Sequence, residues 1–298
     1  MTLFDRISTP SQHLQSMESL SAAQNRMTRL QEQISSGKAF QKASESPGSA
    51  ESAMKLRAEQ TRVAQFGNNI DSGLLRLNAA RLQVDSVNDR LLRARQIVEQ
   101  AQTDTPTVTA SVRSALAEEI DVLRSAMLAA ANSQYGGRQL FAGASGVTSA
   151  YDASGTYQGD TNTQTTRIDA NSTVRTEVNG TEVFGSGAGN AFAVLTDIAT
   201  NLRNNTPANL AANLVSLNSV MDTASDAQAT IGARIGQLND LQALTADKSV
   251  TLAGALADVE DTDLGKAIME LTLQQTGYEA ALHATASVMQ PSLMDFLR

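Results

Sequence analysis

The chain has 298 residues, a formal net charge of −8 at pH 7, and neither cysteine nor tryptophan. The lack of cysteine excludes disulfides and thiolate chemistry. The acidic charge balance, without a basic stripe, argues against nucleic acid as a partner. No apolar run approaches the ~20 residues that span a bilayer, so membrane insertion is not expected. Because 41% of the residues are hydrophobic but only 4% are aromatic, burial must rest on aliphatic side chains, as in helical bundles.

A first helix is predicted from about residue 11 to residue 34, where Ser35-Ser36-Gly37 follows as a C-cap signal. Its apolar stripe consists of Leu14, Met17, Leu20, Met27, Leu30 and Ile34. Full burial of each side chain contributes ~1.5–3 kcal/mol, whereas ordering costs about 1–2 kcal/mol per residue for the backbone alone. We therefore expect this helix to be marginal in a monomer and to pack in an assembly.

The longest helix is predicted from about residue 49 to residue 102, directly after Pro47. Apolar residues recur there at every seventh position, which indicates a narrow seam packed against a partner helix. The seam residues are Val63, Phe66, Ile70, Leu77, Val84, Leu91 and Val98. A third helix, from about 109 to 134, is predicted after Pro106.

The composition changes between residues 136 and 190, where Gly, Ser, Thr and Asn dominate. Residues 173–178 alternate in polarity, Asn179-Gly180 is a two-residue turn signal, and residues 181–184 follow as a second run. This pattern predicts a β-hairpin, with residues 166–169 as a third strand.

Helical patterning resumes near Ala191 and continues into a second long helix from about 208 to 246. Its seam residues are Leu210, Leu217, Ile231 and Leu238. A final helix is predicted from 263 to 289, preceded by acidic residues that favour a helix N-terminus. Its apolar stripe, which we also assign to an assembly interface, consists of Leu264, Ile268, Leu271, Tyr278, Leu282 and Met289.

The order of elements predicts a mainly α fold: an elongated antiparallel coiled-coil or helical bundle, with adjacent termini and a small inserted β domain. We expect three domains. Residues 1–46 with 260–298 form a terminal coiled coil, residues 47–135 with 191–259 form a bundle of long helices, and residues 136–190 form a β-rich outer insert.

Six stretches of the chain form a set of motifs: Gln33-Ile34-Ser35-Ser36-Gly37-Lys38, Ala43-Ser44-Glu45-Ser46-Pro47, residues 137–143, residues 157–160, Glu260-Asp261-Thr262-Asp263-Leu264 and residues 292–297. Together they resemble the flagellin superfamily, and more closely its hook–filament junction branch than flagellin itself. Lys38 after Gly37, Pro47 in the second motif and the closing Asp295-Phe296 pair favour that branch. Gly48 departs from the pattern, because a second small apolar residue is more usual there.

This resemblance implies a non-enzymatic structural junction protein, extracellular in the bacterial flagellum, that connects hook to filament. Implied partners are identical subunits in a ring, the first hook-associated protein, flagellin, an export chaperone and the flagellar type III apparatus. The terminal helices would line the central tube, the long helices would form the middle shell, and the insert would face outward. Export without a cleaved signal peptide is expected, since residues 1–11 lack a basic-then-apolar layout.

Two alternatives remain at this point. A flagellin-type filament subunit would polymerise into long filaments, which a junction protein would not do. A secretion-system scaffold protein unrelated to flagellin would share only the coiled-coil pattern. No catalytic residue, cofactor site or metal site is expected, because no nucleophile, base and orienting group converge in the sequence.

Other polar or aromatic groups have simpler interpretations. Residues 185–189 follow a predicted strand, but a flexible linker explains their glycines better than a nucleotide-binding loop does. Glu118, Glu119 and Asp121 are predicted to form a solvated helix face. Tyr151 and Tyr157 fit either a binding surface or packing beneath the hairpin.

Overall fold

The computed structural model describes residues 9–102, 109–162 and 164–289. Most of these residues are helical, which confirms the mainly α prediction. The helices are α1 Thr9–Ser36, α2 Pro47–Gln102, α3 Ala110–Ala131, α4 Gly180–Phe184, α5 Ala191–Asn204, α6 Pro207–Glu260 and α7 Leu264–Met289. The strands are β1 Gln134–Tyr135, β2 Arg138–Gln139, β3 Thr165–Arg167 and β4 Thr173–Arg175. Residues Gly187–Gly189 form a 3-10 turn within the predicted linker.

Helix α6 extends further than the sequence predicted. The apolar repeat fades after residue 246, but the helix continues to Glu260. Most residues of the added segment are Ala, Leu or charged, and it has no proline, so helix propensity favours its continuation despite Gly254 and three β-branched residues. The predicted end of this helix is wrong for that reason.

The structure divides into two compact units. The described residues up to Thr61 and from Val250 onward form the first unit, and Arg62–Ser249 form the second. The division into three domains expected from the sequence stays a prediction.

In the second unit, α2 and α6 pack side by side in opposite directions. Asn88 Nδ2 donates to Gln228 Oε1 at 2.8 Å, and Gln242 Nε2 donates to Asp71 Oδ1 at 2.6 Å. A lower residue number on α2 thus pairs with a higher one on α6, as antiparallel packing requires. All seam residues assigned on these helices are buried: Val63, Phe66, Ile70, Leu77, Val84, Leu91, Val98, Leu210, Leu217, Ile231 and Leu238.

Helices α3 and α5 pack against each other in the second unit. Arg203 of α5 forms ion pairs with Glu118, at 3.3 Å, and with Asp121. Arg93 of α2 pairs with Glu119 at 2.6 Å. The three carboxylates are 72%, 38% and 42% exposed, so the predicted solvated face is present and its acids pair with arginines of neighbouring helices.

The predicted hairpin is also wrong in its second half. Strands β3 and β4 pair antiparallel, with Thr166 opposite Val174, so the first run and the third strand meet as small β structure. Residues 180–184 form α4 instead of a strand. Val183 and Phe184 are both fully buried, whereas a strand would direct two consecutive side chains to opposite faces.

A cluster of aromatic rings forms the core of the insert. Tyr151 is 1% exposed, and its ring lies 5.3 Å from that of Phe184 and 4.9 Å from that of Phe192. Tyr157 donates its hydroxyl to Phe141 O at 3.0 Å. Burial raises the pKa of Tyr157 to about 12 and raises the pKa of Tyr151 further. Tyr151 is therefore a packing residue, and the partly buried ring of Tyr157 lies beside it at 5.2 Å.

Candidate assembly surface on the terminal helices

Helices α1 and α7 pack against each other within the first unit. The partly buried positions of α1 include Leu20, Ala23, Met27, Leu30 and Ile34. The corresponding positions of α7, in descending order, are the partly buried Ala281, Tyr278, Gln274 and Leu271 and the buried Ala267. Both series advance in alternating steps of three and four, which is the spacing of a coiled-coil seam. The two series match when the helices run antiparallel.

The apolar residues that the sequence assigned to one assembly interface occupy two different places. Leu20, Met27, Leu30, Ile34, Leu271 and Tyr278 are partly buried on the α1–α7 side. Leu14, Met17, Leu264, Ile268 and Leu282 are exposed by 70%, 59%, 48%, 51% and 44%. The Met289 side chain lies outside the described side chains. The pairing of α1 with α7 thus covers only part of the predicted set.

Two further exposed side chains were missed by the sequence analysis. Met269 is 69% exposed and Leu273 is 70% exposed. At about 100° per residue, these two residues lie roughly 140° around α7 from the stripe of Leu264, Ile268 and Leu282. The sequence does contain a signal for Met269 and Leu273, because apolar residues of α7 occur on more than one face of the helix.

Charged groups on α7 are few. In its 26 residues the acidic and basic side chains are Lys266, Glu270, Glu279 and His283. Lys266 lies 4.0 Å from Glu270, one helical turn further on. A helix that is apolar on most of its circumference is normally buried. The two exposed stripes, which we call the α7 stripes (Leu264, Ile268 and Leu282; Met269 and Leu273), are therefore left uncovered by the residues that the structure describes.

Other kinds of site are not supported by the described residues. In those parts of the chain, no group of three or more His, Cys, Asp or Glu side chains is placed to hold a metal ion. Of the two histidines, His283 is exposed on α7, and the His13 side chain is outside the described set. Within the same ranges, no helix combines the length and apolarity needed to cross a membrane.

Comparisons with known proteins found similarity to proteins of the bacterial flagellum. The family described as the bacterial flagellin N-terminal helical region matches residues 7–146. A Salmonella typhimurium protein named Flagellar hook-associated protein 3 is 23% identical, over 98% of this chain and 100% of the relative. The structure of Bacillus cereus FlgL, 19% identical, matches with a TM-score of 0.60 over 68% of this chain and 99% of that chain. A Vibrio parahaemolyticus structure described as flagellar hook-associated, 20% identical, matches with a TM-score of 0.67 over 73% of this chain and all of that one.

These matches confirm the resemblance to the flagellin superfamily, and the solved structures share the mainly helical fold. Both the N-terminal pattern and the full-length relative contribute to that conclusion. Within the superfamily, the chain is similar to Flagellar hook-associated protein 3. Lys38, Pro47 and the Asp295-Phe296 pair predicted this branch rather than flagellin, and the last pair lies outside the described residues.

Proposed function

We propose that this chain is the structural junction protein that connects the flagellar hook to the filament, and that it polymerises through its terminal helices. The observation that carries the proposal is the exposure of the α7 stripes in a chain that matches a hook-associated protein over its whole length. Its partners would be identical copies, the first hook-associated protein on the hook side and flagellin on the filament side.

Energetics favour a closed assembly over an isolated pair. Full burial of a Leu, Ile or Met side chain is worth ~1.5–3 kcal/mol, and about half of each exposed side chain remains to be covered. The exposed terminal residues would therefore contribute on the order of 1 kcal/mol each, against an association cost of about 4–15 kcal/mol. One contact alone is weak, whereas a ring gives each copy two neighbours. The protein would thus stay monomeric in dilute solution and assemble on the hook.

The proposal includes an extracellular location at the hook–filament junction. The flagellar type III apparatus would export the chain unfolded, with the help of a chaperone. The absence of cysteine is compatible with this route, since no cross-link has to form during export.

A flagellin-type filament subunit is the second candidate. It is favoured by the match of residues 7–146 to the flagellin N-terminal helical region. The full-length relatives named Flagellar hook-associated protein 3 favour the junction role instead. The match to this family argues against a coiled-coil scaffold protein unrelated to flagellin.

Deletion of the gene separates the two candidates. Loss of a junction protein leaves hooks intact but bare, with unpolymerised flagellin in the medium, whereas loss of flagellin removes flagellin from the medium as well. Electron microscopy of the hooks and immunoblotting of the medium provide the readouts, and the wild-type gene on a plasmid is the control. Filaments that persist on the hooks after deletion would contradict the junction role.

A further inference from the structure

The chain from residue 164 to residue 177, which we call the hairpin segment, contains β3 and β4 and lies against α2 in the second unit. Asn69 Nδ2 of α2 donates to Arg167 O at 2.8 Å. Ile168 and Val174 are 3% and 5% exposed and belong to the same apolar core as the α2–α6 seam. These two are the buried apolar side chains of the hairpin segment. Since a two-stranded hairpin is marginally stable by itself in water, its position depends on what else holds it to the helices.

A glycine in α2 lets the hairpin segment approach the helix closely. A Cβ on Gly73 would lie 2.7 Å from Thr176 Cγ2 and 3.3 Å from Leu238 Cδ1. Thr176 is not free to turn away, because its hydroxyl oxygen lies at hydrogen-bonding distance, 3.0 Å, from Thr166 Oγ1. Glycine weakens a helix interior relative to alanine. The close approach of Thr176 accounts for a glycine at this position of the 56-residue helix α2.

Glu177, the next residue along the chain, is almost completely buried. Its side chain is 3% exposed, and its Oε1 lies 3.3 Å from Arg138 Nη2 and 3.8 Å from Arg76 Nη2. Glu177 Oε2 accepts from Gln164 N at 3.3 Å. Arg76 is itself only 12% exposed, whereas Arg138 is 49% exposed. The carboxylate therefore joins both ends of the hairpin segment to α2 and to β2.

Two further hydrogen bonds fasten the backbone at the same place. Arg234 Nη1 of α6 donates to Glu177 O at 3.2 Å, and Arg76 Nη2 donates to Gln139 O at 3.0 Å. Both long helices thus contribute an arginine, and β2 contributes Arg138. We call Glu177, Arg76, Arg138 and Arg234 the insert anchor.

The charge of Glu177 is the centre of the insert anchor. A buried carboxylate is costly unless cations compensate it, and removal of one partner from a buried pair is strongly destabilising because the other charge stays buried. Without Glu177, Arg76 would be that uncompensated charge. The aromatic cluster does not replace this contact, because its rings belong to residues before and after the hairpin segment, such as Tyr157 and Phe184.

We propose that Glu177 is a positioning residue whose buried carboxylate, held by Arg76 and Arg138, docks the hairpin segment on α2, where Gly73 provides the space. The hairpin segment is then a fixed part of the surface that the second unit presents to a neighbouring copy. That second step rests on the proposed function, whereas the docking can be tested in the monomer. All residues involved lie within Arg62–Ser249, so the docking does not require ordered terminal helices.

Glu177→Gln tests the docking, because it removes the charge with little change of shape. Glu119→Gln is the matched control, since Glu119 is a 38% exposed acid of the same unit that pairs with Arg93. The readout is hydrogen exchange in the full-length monomer of the Ile168 amide, which donates to Ser172 O at 3.1 Å. Glu177→Gln should accelerate this exchange by roughly 100-fold, as expected for a broken buried ion pair. Glu119→Gln should leave it unchanged.

The amide of Val84, in the α2–α6 seam, identifies a variant that has unfolded as a whole. If Glu177→Gln also exposes this amide, Arg138→Gln replaces it as the test and should give a smaller acceleration at Ile168. Three results overturn the proposal: an unprotected Ile168 amide in the wild-type chain, unchanged protection of that amide in the tested variant, or exposure of Val84 in both variants.

Gly73→Ala tests the close approach independently of charge. The added Cβ should displace Thr176 and accelerate exchange at Ile168 by roughly ten-fold, as overpacking of a filled site costs stability. Thr176→Ser in the same chain removes the contacting methyl group and keeps the hydroxyl, so the double variant should regain the wild-type rate. Gly67→Ala is the matched control, because a Cβ there would lie 3.8 Å from Thr245 Cγ2, an ordinary contact. Equal exchange rates in Gly73→Ala with and without Thr176→Ser would overturn the role of this glycine.

Complementation of the gene deletion tests the second step. Wild-type chain and Glu119→Gln should restore filaments. Glu177→Gln should restore roughly ten-fold fewer per cell, because a released hairpin segment must be ordered again when copies associate. If Glu177→Gln releases the hairpin segment but restores filaments fully, its role in assembly is wrong. If the deletion strain retains its filaments, the proposed function fails, and the exchange result still decides whether Glu177 docks the hairpin segment.

Discussion

The two units of this chain use similar apolar spacing in opposite ways. In the second unit, Leu77 and Leu217 lie in the α2–α6 seam with no exposed surface. In the first unit, Ile268 and Leu273 lie on a terminal helix and are 51% and 70% exposed. Apolar periodicity thus indicates that a helix face needs a partner, but it does not indicate whether that partner comes from the same chain.

The reason for the difference is the number of elements that surround each helix. In the second unit, α3, α5 and the aromatic cluster contribute to one continuous core with the α2–α6 seam. In the first unit, α1 covers one side of α7, and both α7 stripes remain open. The second unit therefore has its own folding core, while the first is completed by assembly in our proposal.

The largest effect is expected from a charge in the buried seam. Leu217→Asp places a carboxylate where no cation compensates it, so we expect a loss of more than about 4 kcal/mol in the free energy of unfolding. Urea denaturation followed by circular dichroism measures this loss. Val215→Asp is the control, since Val215 lies on the same helix and is 71% exposed. It should change stability by no more than about 0.5 kcal/mol. Equal effects of the two changes would show that the α2–α6 seam is not the core of the second unit.

A charge on an α7 stripe should separate assembly from stability. Ile268→Asp leaves a half-exposed carboxylate in the monomer, so the free energy of unfolding should change by less than about 1 kcal/mol. The same carboxylate would be buried between copies, and filament restoration in the deletion strain should be lost. Val215→Asp, at a 71% exposed position of the second unit, should restore filaments. Normal motility with Ile268→Asp would remove this stripe from the assembly interface.

The smallest effect concerns the aromatic cluster at high pH. Since burial raises the pKa of Tyr157 from 10.0 to about 12, the folded state holds the phenol proton more tightly than the unfolded state. The stability from this group is fully present below pH 10 and is lost as the pH rises through about 12. Thermal unfolding between pH 9 and about pH 12 should show a falling midpoint, and Tyr157→Phe should have a shallower fall. If the unfolding midpoint falls equally steeply with pH in the wild type and in Tyr157→Phe, a group other than Tyr157 causes the loss of stability.

Much of the helical architecture could be predicted from the sequence, because helix ends are local events. Thr109 Oγ1 accepts from Val112 N at 3.4 Å at the start of α3, close to the predicted boundary. Asp263 Oδ1 accepts from Lys266 N at 3.1 Å at the start of α7, as the acidic residues there predicted. Such contacts join residues three positions apart, so a short stretch of sequence is enough to predict them.

The insert was harder to predict, because distant partners decide its structure. Asn179-Gly180 is a strong turn signal, but Gly180 N donates to Phe141 O at 2.8 Å and helix α4 begins there. A Cβ on Gly180 would lie 2.7 Å from the Tyr151 ring. This glycine is thus required by close packing rather than by a hairpin turn.

Only part of the candidate assembly surface could be predicted, because its exposure also depends on distant parts of the chain. Heptad spacing located the α1 and α7 stripes, but it could not divide them into a side covered by the partner helix and a side left open. Met269 and Leu273 were missed because they lie off the main stripe. The pairing of Glu177 with Arg76, far away in sequence, likewise has no local signature.

The sequence by itself determined where the long helices lie, which of them have seams, and which flagellar class the chain resembles, because these properties depend on residue spacing and short motifs. Only the tertiary structure decided which apolar faces stay uncovered, where the insert folds into a helix, and which cations hold the buried Glu177. Those outcomes depend on contacts between residues far apart in the chain. A short stretch of sequence does not show which of these contacts form.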